Sequence, residues 1–336
     1  MNAFYRLALI ALPLVFTVVV LGAYVRLSDA GLGCPDWPGC YGELLVPQDH
    51  VAANEAFPER PLEHGKAWKE MIHRYAAAFL GLIILAMAVV ALRRRYDRPG
   101  PPVGLSLGLV ALVIFQGALG MWTVTLLLKP LIVTAHLIGG MLVLSLVFLA
   151  LLASSRHLRG WRGGHDAMRV VGGLAIAAVF IQLFLGAWTS TNYAALACPD
   201  FPTCQRSWWP ETDFTEAFTL WRGLGINYEY GVLDSVPRAT IHWVHRLGAI
   251  LVTGVLLVWA AMLFAAARTD RRWAGAAVCL LAALVLQITL GITAVVGGLP
   301  LLVATAHNGG AALLLLTVMA INHAIWQRQV RAGTPA

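Results

Sequence analysis

The sequence predicts an all-α polytopic membrane protein. Eight transmembrane helices would form two tandem four-helix bundles related by an internal pseudo-two-fold repeat. Three observations predict it. Runs of about 20 apolar residues recur, each long enough to cross a bilayer core. Arginines cluster in alternate connections, as the positive-inside rule requires. Motifs of the first half return, in order and nearly in register, in the second. A chain that is 59% hydrophobic and 12% charged over 336 residues is no soluble domain. Its net charge of +7 comes from those arginine clusters, which set orientation and do not mark a nucleic-acid surface.

Run one covers about Leu7 to Val25, after Arg6. A signal peptide cleaved at Leu21-Gly22-Ala23 is the competing reading. The length of the run, and the place of its end in the repeat, favour a span. Residues 27–69 form a polar connection holding Gly33-Cys34-Pro35-Asp36-Trp37-Pro38-Gly39-Cys40. Run two, about Glu70 to Leu92, ends in the arginine cluster of 93–98. Runs three and four, about Val103 to Leu127 and Leu131 to Ala153, are joined by a tight Lys129-Pro130 turn. The N-terminal half is thus 1–154, followed by a basic linker, 155–169.

Run five is about Val170 to Ser190. The second polar connection, 191–237, carries Cys198-Pro199-Asp200-Phe201-Pro202-Thr203-Cys204. Run six is about Thr240 to Ala267, then Arg268 to Arg272. Run seven is about Trp273 to Val296, and the Gly297-Gly298-Leu299-Pro300 turn leads to run eight, about Leu301 to Ile325. The C-terminal half is 170–327, with a basic tail at 328–336.

Basic segments follow runs two, four, six and eight, so both termini are expected in the cytoplasm and both cysteine loops outside. That side is oxidising, and disulfides persist there. Five residues between cysteines allow closure when prolines turn the loop, so Cys34 pairs with Cys40 and Cys198 with Cys204. Cys279 reads as a small core residue of run seven.

An offset of 164 residues carries Gly22 to Gly186, Cys34 to Cys198, Asp36 to Asp200 and Cys40 to Cys204. An offset of 172 carries His73 to His245, and 171 carries Gln116, Gly120 and His136 to Gln287, Gly291 and His307. An even number of spans per half gives both halves one orientation.

His73, His136, His245 and His307 fall near the cysteine-loop ends of runs two, four, six and eight. A lone histidine on an apolar helix is ordinarily a satisfied core residue. Four at matched places read differently, because intramembrane ionisable groups are costly and functional. Two imidazoles facing each other across a four-helix bundle suit the axial positions of a haem. Zinc is the competing ion, but no thiolate or second carboxylate joins either pair within the membrane. One haem iron per half is therefore expected, on His73 with His136 and on His245 with His307.

Arg74 and Arg246 directly follow their histidines, placed to pair with haem propionates or to snorkel to interfacial water. Glu70 and His242 each stand three residues before the motif histidine and break the symmetry. A carboxylate beside one haem can handle a proton or stabilise positive charge. A glutamate favoured by a helix N-terminus is the plainer alternative. The asymmetry suggests one reactive site and one resident redox centre. Gln116, Gln182 and Gln287 are expected to hydrogen-bond between helices. His50 and His64 are expected in solvent, His157 and His165 in the cytoplasmic linker, and His323 too far inward to join the four.

Gly22-Ala23-Tyr24-Val25-Arg26, the Gly31–Cys40 loop, Glu70-x-x-His73-Arg74 and the triplets Thr134-Ala135-His136 and Thr305-Ala306-His307 resemble the haem A synthase family over nearly the whole chain. The resemblance implies oxidation of a ring methyl of haem O to a formyl group, giving haem A for aa3-type terminal oxidases, with molecular oxygen as oxidant. It implies substrate haem at His73, His136 and Arg74, and a resident haem b at His245, His307 and Arg246. It makes Glu70 the catalytic carboxylate. The expected location is the bacterial cytoplasmic membrane. Expected partners are the lipid bilayer, haem O synthase, cytochrome oxidase assembly factors and an electron donor that no motif identifies, with a homo-oligomer as a further expectation. Two rival functions explain less. A quinol-linked di-haem b-type electron-transfer cytochrome accounts for the histidines but not for Glu70. A parallel-repeat transporter would use the histidines as proton relays and carry no haem colour.

Overall fold

The computed structural model describes residues 3–97, 100–155, 161 and 165–326. Arg98, Arg156, His157 and the 328–336 tail, named above for the basic segments, lie outside the described residues. In chain order the helices are α1 (Ala3–Leu27), α2 (His50–Ala56), α3 (His64–Arg93), α4 (Val103–Thr125), α5 (Pro130–Ser154), α6 (Asp166–Thr191), α7 (Phe214–Ala217), α8 (Ser235–Ala266), α9 (Arg272–Val296) and α10 (Leu301–Trp326). Eight of them, all but α2 and α7, are long and apolar enough to cross a membrane.

The spans match the expected runs, with two extensions. α3 starts at His64 and α8 at Ser235, each more than a turn before its apolar run begins. Hydropathy marks where the bilayer-suited segment starts. The polar turns before it remain helical because helix pairing satisfies their backbone groups wherever they lie. The short helices α2 and α7 sit inside the two polar connections. Asp49 caps α2 by accepting from Val51 N and Ala52 N, and Asp213 caps α7 by accepting from Glu216 N.

Apolar side chains gain little from burial against one another in lipid, so these helices associate by close packing. α1 shows how. Phe4, Ala8, Ala11, Val15 and Val18 are buried and recur every three or four residues, forming one stripe. The two alanines let neighbouring backbones approach, while Leu9 and Ile10 face outward. α1 packs on α3 and α5, and α4 closes a ring by packing on the same two. α6 likewise packs on α8 and α10, with α9 closing the second ring. The rings meet through α1 on α10, α5 on α6 and α5 on α10. Exchanging α1 with α6 and α5 with α10 leaves that contact pattern unchanged.

Polar ties reinforce the junction. Arg26 Nη2 donates to Ser190 O at 2.6 Å, and the Thr134 and Thr191 hydroxyls are 3.2 Å apart. The largest buried cluster includes Phe4, Met87, Leu109, Leu144, Met168, Trp259, Leu280 and Leu315, one from each span. It fills the end away from the cysteine loops, so the four histidines lie between it and those loops. Cys279 is not a core residue, contrary to expectation. It is exposed on α9, where a small apolar side chain can face lipid.

Both cysteine loops close as disulfides, with Cα–Cα distances of 4.8 Å for Cys34–Cys40 and 4.5 Å for Cys198–Cys204. After the second cysteine the chain turns through Tyr41-Gly42 or Gln205-Arg206, all at positive φ. Three of these four are not glycine, so the turn needs support. An aspartate supplies it in each loop. Asp36 accepts from Tyr41 N at 2.7 Å and Gly42 N at 2.8 Å, and Asp200 from Gln205 N at 2.7 Å and Arg206 N at 3.0 Å.

The Thr203 hydroxyl, helped by these N–H groups, holds the Asp200 carboxyl down to about 2. A depressed carboxyl stabilises the fold above its unfolded value and loses that contribution as pH falls through the folded one. Trp243 Nε1 donates to Trp208 O at 3.2 Å, and Trp209 lies edge-on to Trp243, so the indoles report on this loop. Tryptophan emission should stay flat down to about pH 4 and change between about pH 4 and about pH 2. Asp200→Asn should lack that component.

Candidate functional site

Glu70 lies beyond the first turn of α3, so it is not the helix-terminal glutamate of the plainer reading. It is 5% exposed and turned toward the first cysteine loop. Its Oε2 accepts from Cys34 N at 2.9 Å, and its Oε1 accepts from Arg74 Nη2 at 2.5 Å, one helical turn on. Arg74 Nη1 donates to the carbonyls of Asp36 at 3.1 Å, Pro38 at 3.3 Å and Gly39 at 2.5 Å. A buried ion pair offsets its desolvation only with further hydrogen bonds, and Cys34 N and the three loop carbonyls supply them.

His242 fills the same place in the second ring. Its Nδ1 lies 3.3 Å from Cys198 N and its Nε2 3.2 Å from Arg246 Nε. Arg246 also donates to the carbonyls of Asp200 at 2.8 Å, Thr203 at 2.7 Å and Cys198 at 2.7 Å. The two positions are chemically unequal. A carboxylate accepts from both donors at once, whereas a neutral imidazole accepts at one nitrogen only. Arg74 and Arg246, expected at haem propionates or in interfacial water, clamp the cysteine loops to α3 and α8 through these carbonyls.

One turn deeper the histidines meet glycines. A Cβ on Gly22 of α1 would be 3.0 Å from the His73 ring, and one on Gly186 of α6 would be 3.1 Å from His245. The corresponding distances are 3.5 Å for Gly120 of α4 against His136, and 2.8 Å for Gly291 of α9 against His307. Each imidazole therefore lies in a notch left by a missing side chain. His73 and His136 lie within electrostatic range of one another, as do His245 and His307. Among the described residues, Nδ1 is buried without a hydrogen-bond partner in His73, His136 and His307.

Gln182 Nε2 donates to His245 O at 2.9 Å and lies 3.0 Å from its Nδ1, and Gln287 Nε2 is 3.4 Å from His307 Nε2. Both act between helices as expected. Gln116 is packed against Gly139, and its Nε2 has no partner among the described residues. His50 is exposed, His64 opens α3 with its ring 4.3 Å from that of His50, and His165 precedes α6. His323 lies at the far end of α10, away from the four.

The notches test the geometry. Gly291→Ala would push a methyl into the His307 ring, whereas Gly120→Ala meets His136 at an ordinary contact distance. Gly291→Ala should lower haem content of the purified protein severalfold, and Gly120→Ala should leave it near wild type.

Among the described residues, no three His, Cys, Asp or Glu side chains converge as a metal site. Zinc recruits three or four protein ligands. Two imidazoles per ring, with a buried nitrogen that lacks a partner among the described residues in His73, His136 and His307, fit a haem iron. The sequence did not point to Gly22, Gly120, Gly186 or Gly291 as partners of the histidines, nor to Asp36 and Asp200 as loop clasps. All of them were visible as repeated residues.

Fold and site together define a multi-pass membrane protein with two histidine pairs, one in each ring of four spans. The family model of the COX15-CtaA cytochrome oxidase assembly proteins matches residues 5–319, and the chain belongs to that family. It is 45% identical to the heme A synthase of Shewanella oneidensis over 95% of this chain and 96% of the relative. It is 29% identical to the heme A synthase of Rhizorhabdus wittichii, covering 96% of this chain and 94% of that one. For the heme A synthase of Paracoccus denitrificans the identity is 29%, covering 95% and 87%.

Proposed function

We propose that the chain is a haem A synthase, a membrane-bound oxidoreductase that converts a ring methyl of haem O to a formyl group. One observation carries the assignment of roles. A buried carboxylate, Glu70, stands one turn from one histidine pair, and an imidazole, His242, stands in the matched place beside the other. The N-terminal half, residues 1–154, would bind substrate haem through His73 and His136. The C-terminal half, residues 170–327, would hold haem b through His245 and His307 as the route for electrons.

The iron of the bound haem supplies the oxygen chemistry, with molecular oxygen as oxidant. The methyl is hydroxylated, oxidised again, and the gem-diol loses water to give the aldehyde. The chain's own residues supply position and charge. The glycine notches fix the imidazoles. Glu70 lies on the same helix face as His73, where its carboxylate can take a proton or stabilise positive charge at the methyl carbon. Arg74 fixes that carboxylate and, with the disulfide, holds the cysteine loop over the mouth of the ring. The cysteine loops face outward and both termini face the cytoplasm of a bacterium, in keeping with the arginine clusters and the disulfides.

The disulfides close the loops, and Cys34→Ser with Cys40→Ser should cost about 2 kcal/mol of stability. Turnover should persist in the fraction that folds. Loss of turnover from a folded double variant would instead make the pair a redox relay.

One observation favours a second reading. Glu70 and His242 share the clasping of Cys34 N and Cys198 N, so Glu70 has a structural task as well. A di-haem electron-transfer cytochrome would need no more of it than that. Expression with and without a haem O synthase separates the two. Haem A extracted only when haem O is supplied supports the synthase, and haem B alone in both cases, at two per chain, supports the cytochrome.

A further inference from the structure

The two rings differ at their cysteine-loop ends in more than Glu70. The long connection before α8 does not stay over its own ring. Its stretch 221–231 crosses to the first ring, where Tyr228 N donates to Leu127 O at 3.0 Å and Arg60 pairs with Glu229 at 3.2 Å. Tyr228 and Ile226 pack there with Leu32, Val124, Leu128 and Val133. Beneath this strap lies Lys129, the residue that precedes α5, at 2% exposure. Its ammonium lies 3.2 Å from the centre of the Trp221 ring and donates to Gly223 O.

Among the described residues no carboxylate lies within ion-pair distance of Lys129, which leaves a buried cation without a counter-charge. Desolvation holds its ammonium below the ordinary lysine range. The Tyr228 hydroxyl is also buried and, among the described residues, has no hydrogen-bond partner, with the residue 2% exposed. Both residues line one cavity of about 30 Å³. One water needs roughly 10–15 Å³ by this measure, so the cavity takes about two oxygen atoms.

We propose that Lys129 and Tyr228 form a carboxylate site, and that its occupant is a propionate of the haem held by the N-terminal ring. This rests on the assignment of substrate haem to His73 and His136. Two donors, one charged and one neutral, are what a carboxylate's two oxygens accept from. Lys129 precedes His136 by seven residues, two turns of helix, so both project from nearly the same side of α5 about 10 Å apart along the axis. Val133, between them, packs into the Tyr228 cluster and continues the column. The second ring has no such site, because the 171-residue offset puts Pro300 where Lys129 stands. A lipid phosphate offers similar oxygens, but Lys129 lies beneath the strap and Tyr228 is buried within it.

The test is a Soret titration of the purified protein, resident haem in place, in phosphatidylcholine nanodiscs. Haem O is compared with haem O dimethyl ester, whose carboxylates are blocked. Wild type should bind the free acid about tenfold or more tightly than the ester. Lys129→Met and Tyr228→Phe should each weaken haem O binding and leave ester binding unchanged, and Lys129→Arg should keep the preference. Equal losses for both ligands would overturn the site as a mere packing element, and so would a wild type that does not discriminate. A dependence on Lys129 that appears only with phosphatidylglycerol in the disc would assign the site to lipid and overturn it as a haem site. His136→Ala separates the two levels. If it binds haem O like wild type, the assignment of the N-terminal ring fails. If it loses binding while Lys129→Met does not, only the carboxylate site fails.

Discussion

Glu70→Gln should abolish formyl production while leaving the resident haem and the fold in place. The glutamine carbonyl can still accept from Cys34 N, so most of the loop clasp survives. What disappears is the negative charge between Arg74 and the substrate pair. Positioned acid–base groups contribute about 10²–10⁴-fold to rate, so a loss of at least about 100-fold in haem A formation is expected. Glu70→His is the sharper variant, because it copies the second ring. His242 shows that an imidazole at this place holds a cysteine loop and leaves Arg246 on its carbonyls. Glu70→His should therefore keep the loop closed, with normal thermal stability and resident haem, and make no haem A. A Glu70→His protein that makes haem A at the wild-type rate would reduce Glu70 to a clasp.

The second large effect is the separate loss of each haem. His307→Ala removes one of the two nitrogens available to the second ring, and should strip the resident haem b with its Soret band. Haem O should still bind to that variant. His136→Ala should do the reverse, keeping haem b and losing haem O binding and all turnover. Each substitution leaves an imidazole-shaped space beside a glycine, so added imidazole should restore part of the lost binding. Loss of both haems from either variant would show that the rings are not independent sites.

The eight spans were legible because a bilayer imposes a length and an apolar composition that few other structures satisfy. The histidine pairs were legible through the repeat, which matched His73 with His245 and His136 with His307. The extended starts of α3 and α8 were not, because hydropathy falls before the helix does. The glycine notches were half legible. Gly22, Gly120, Gly186 and Gly291 recur in register, but nothing in a linear sequence says which ring each one faces. The clamp that Arg74 forms was not legible, because its acceptors are the Glu70 carboxylate and the carbonyls of a loop more than 30 residues earlier in the chain. The strap from Trp221 to Gly231 was invisible. Its crossing to the other ring depends on Tyr228 meeting Leu127 and on Lys129 meeting Gly223, contacts without any periodic signature.

The most direct test uses the purified protein with its resident haem, loaded with haem O and given reductant and oxygen. Porphyrin extracted at intervals is separated by chromatography and identified by mass. The proposed function predicts a product that has lost two hydrogens and gained one oxygen relative to haem O, formed by wild type and not by Glu70→Gln. Haem O recovered unchanged from the wild-type protein, while the resident haem is reduced and reoxidised normally, would contradict it and leave the chain an electron carrier.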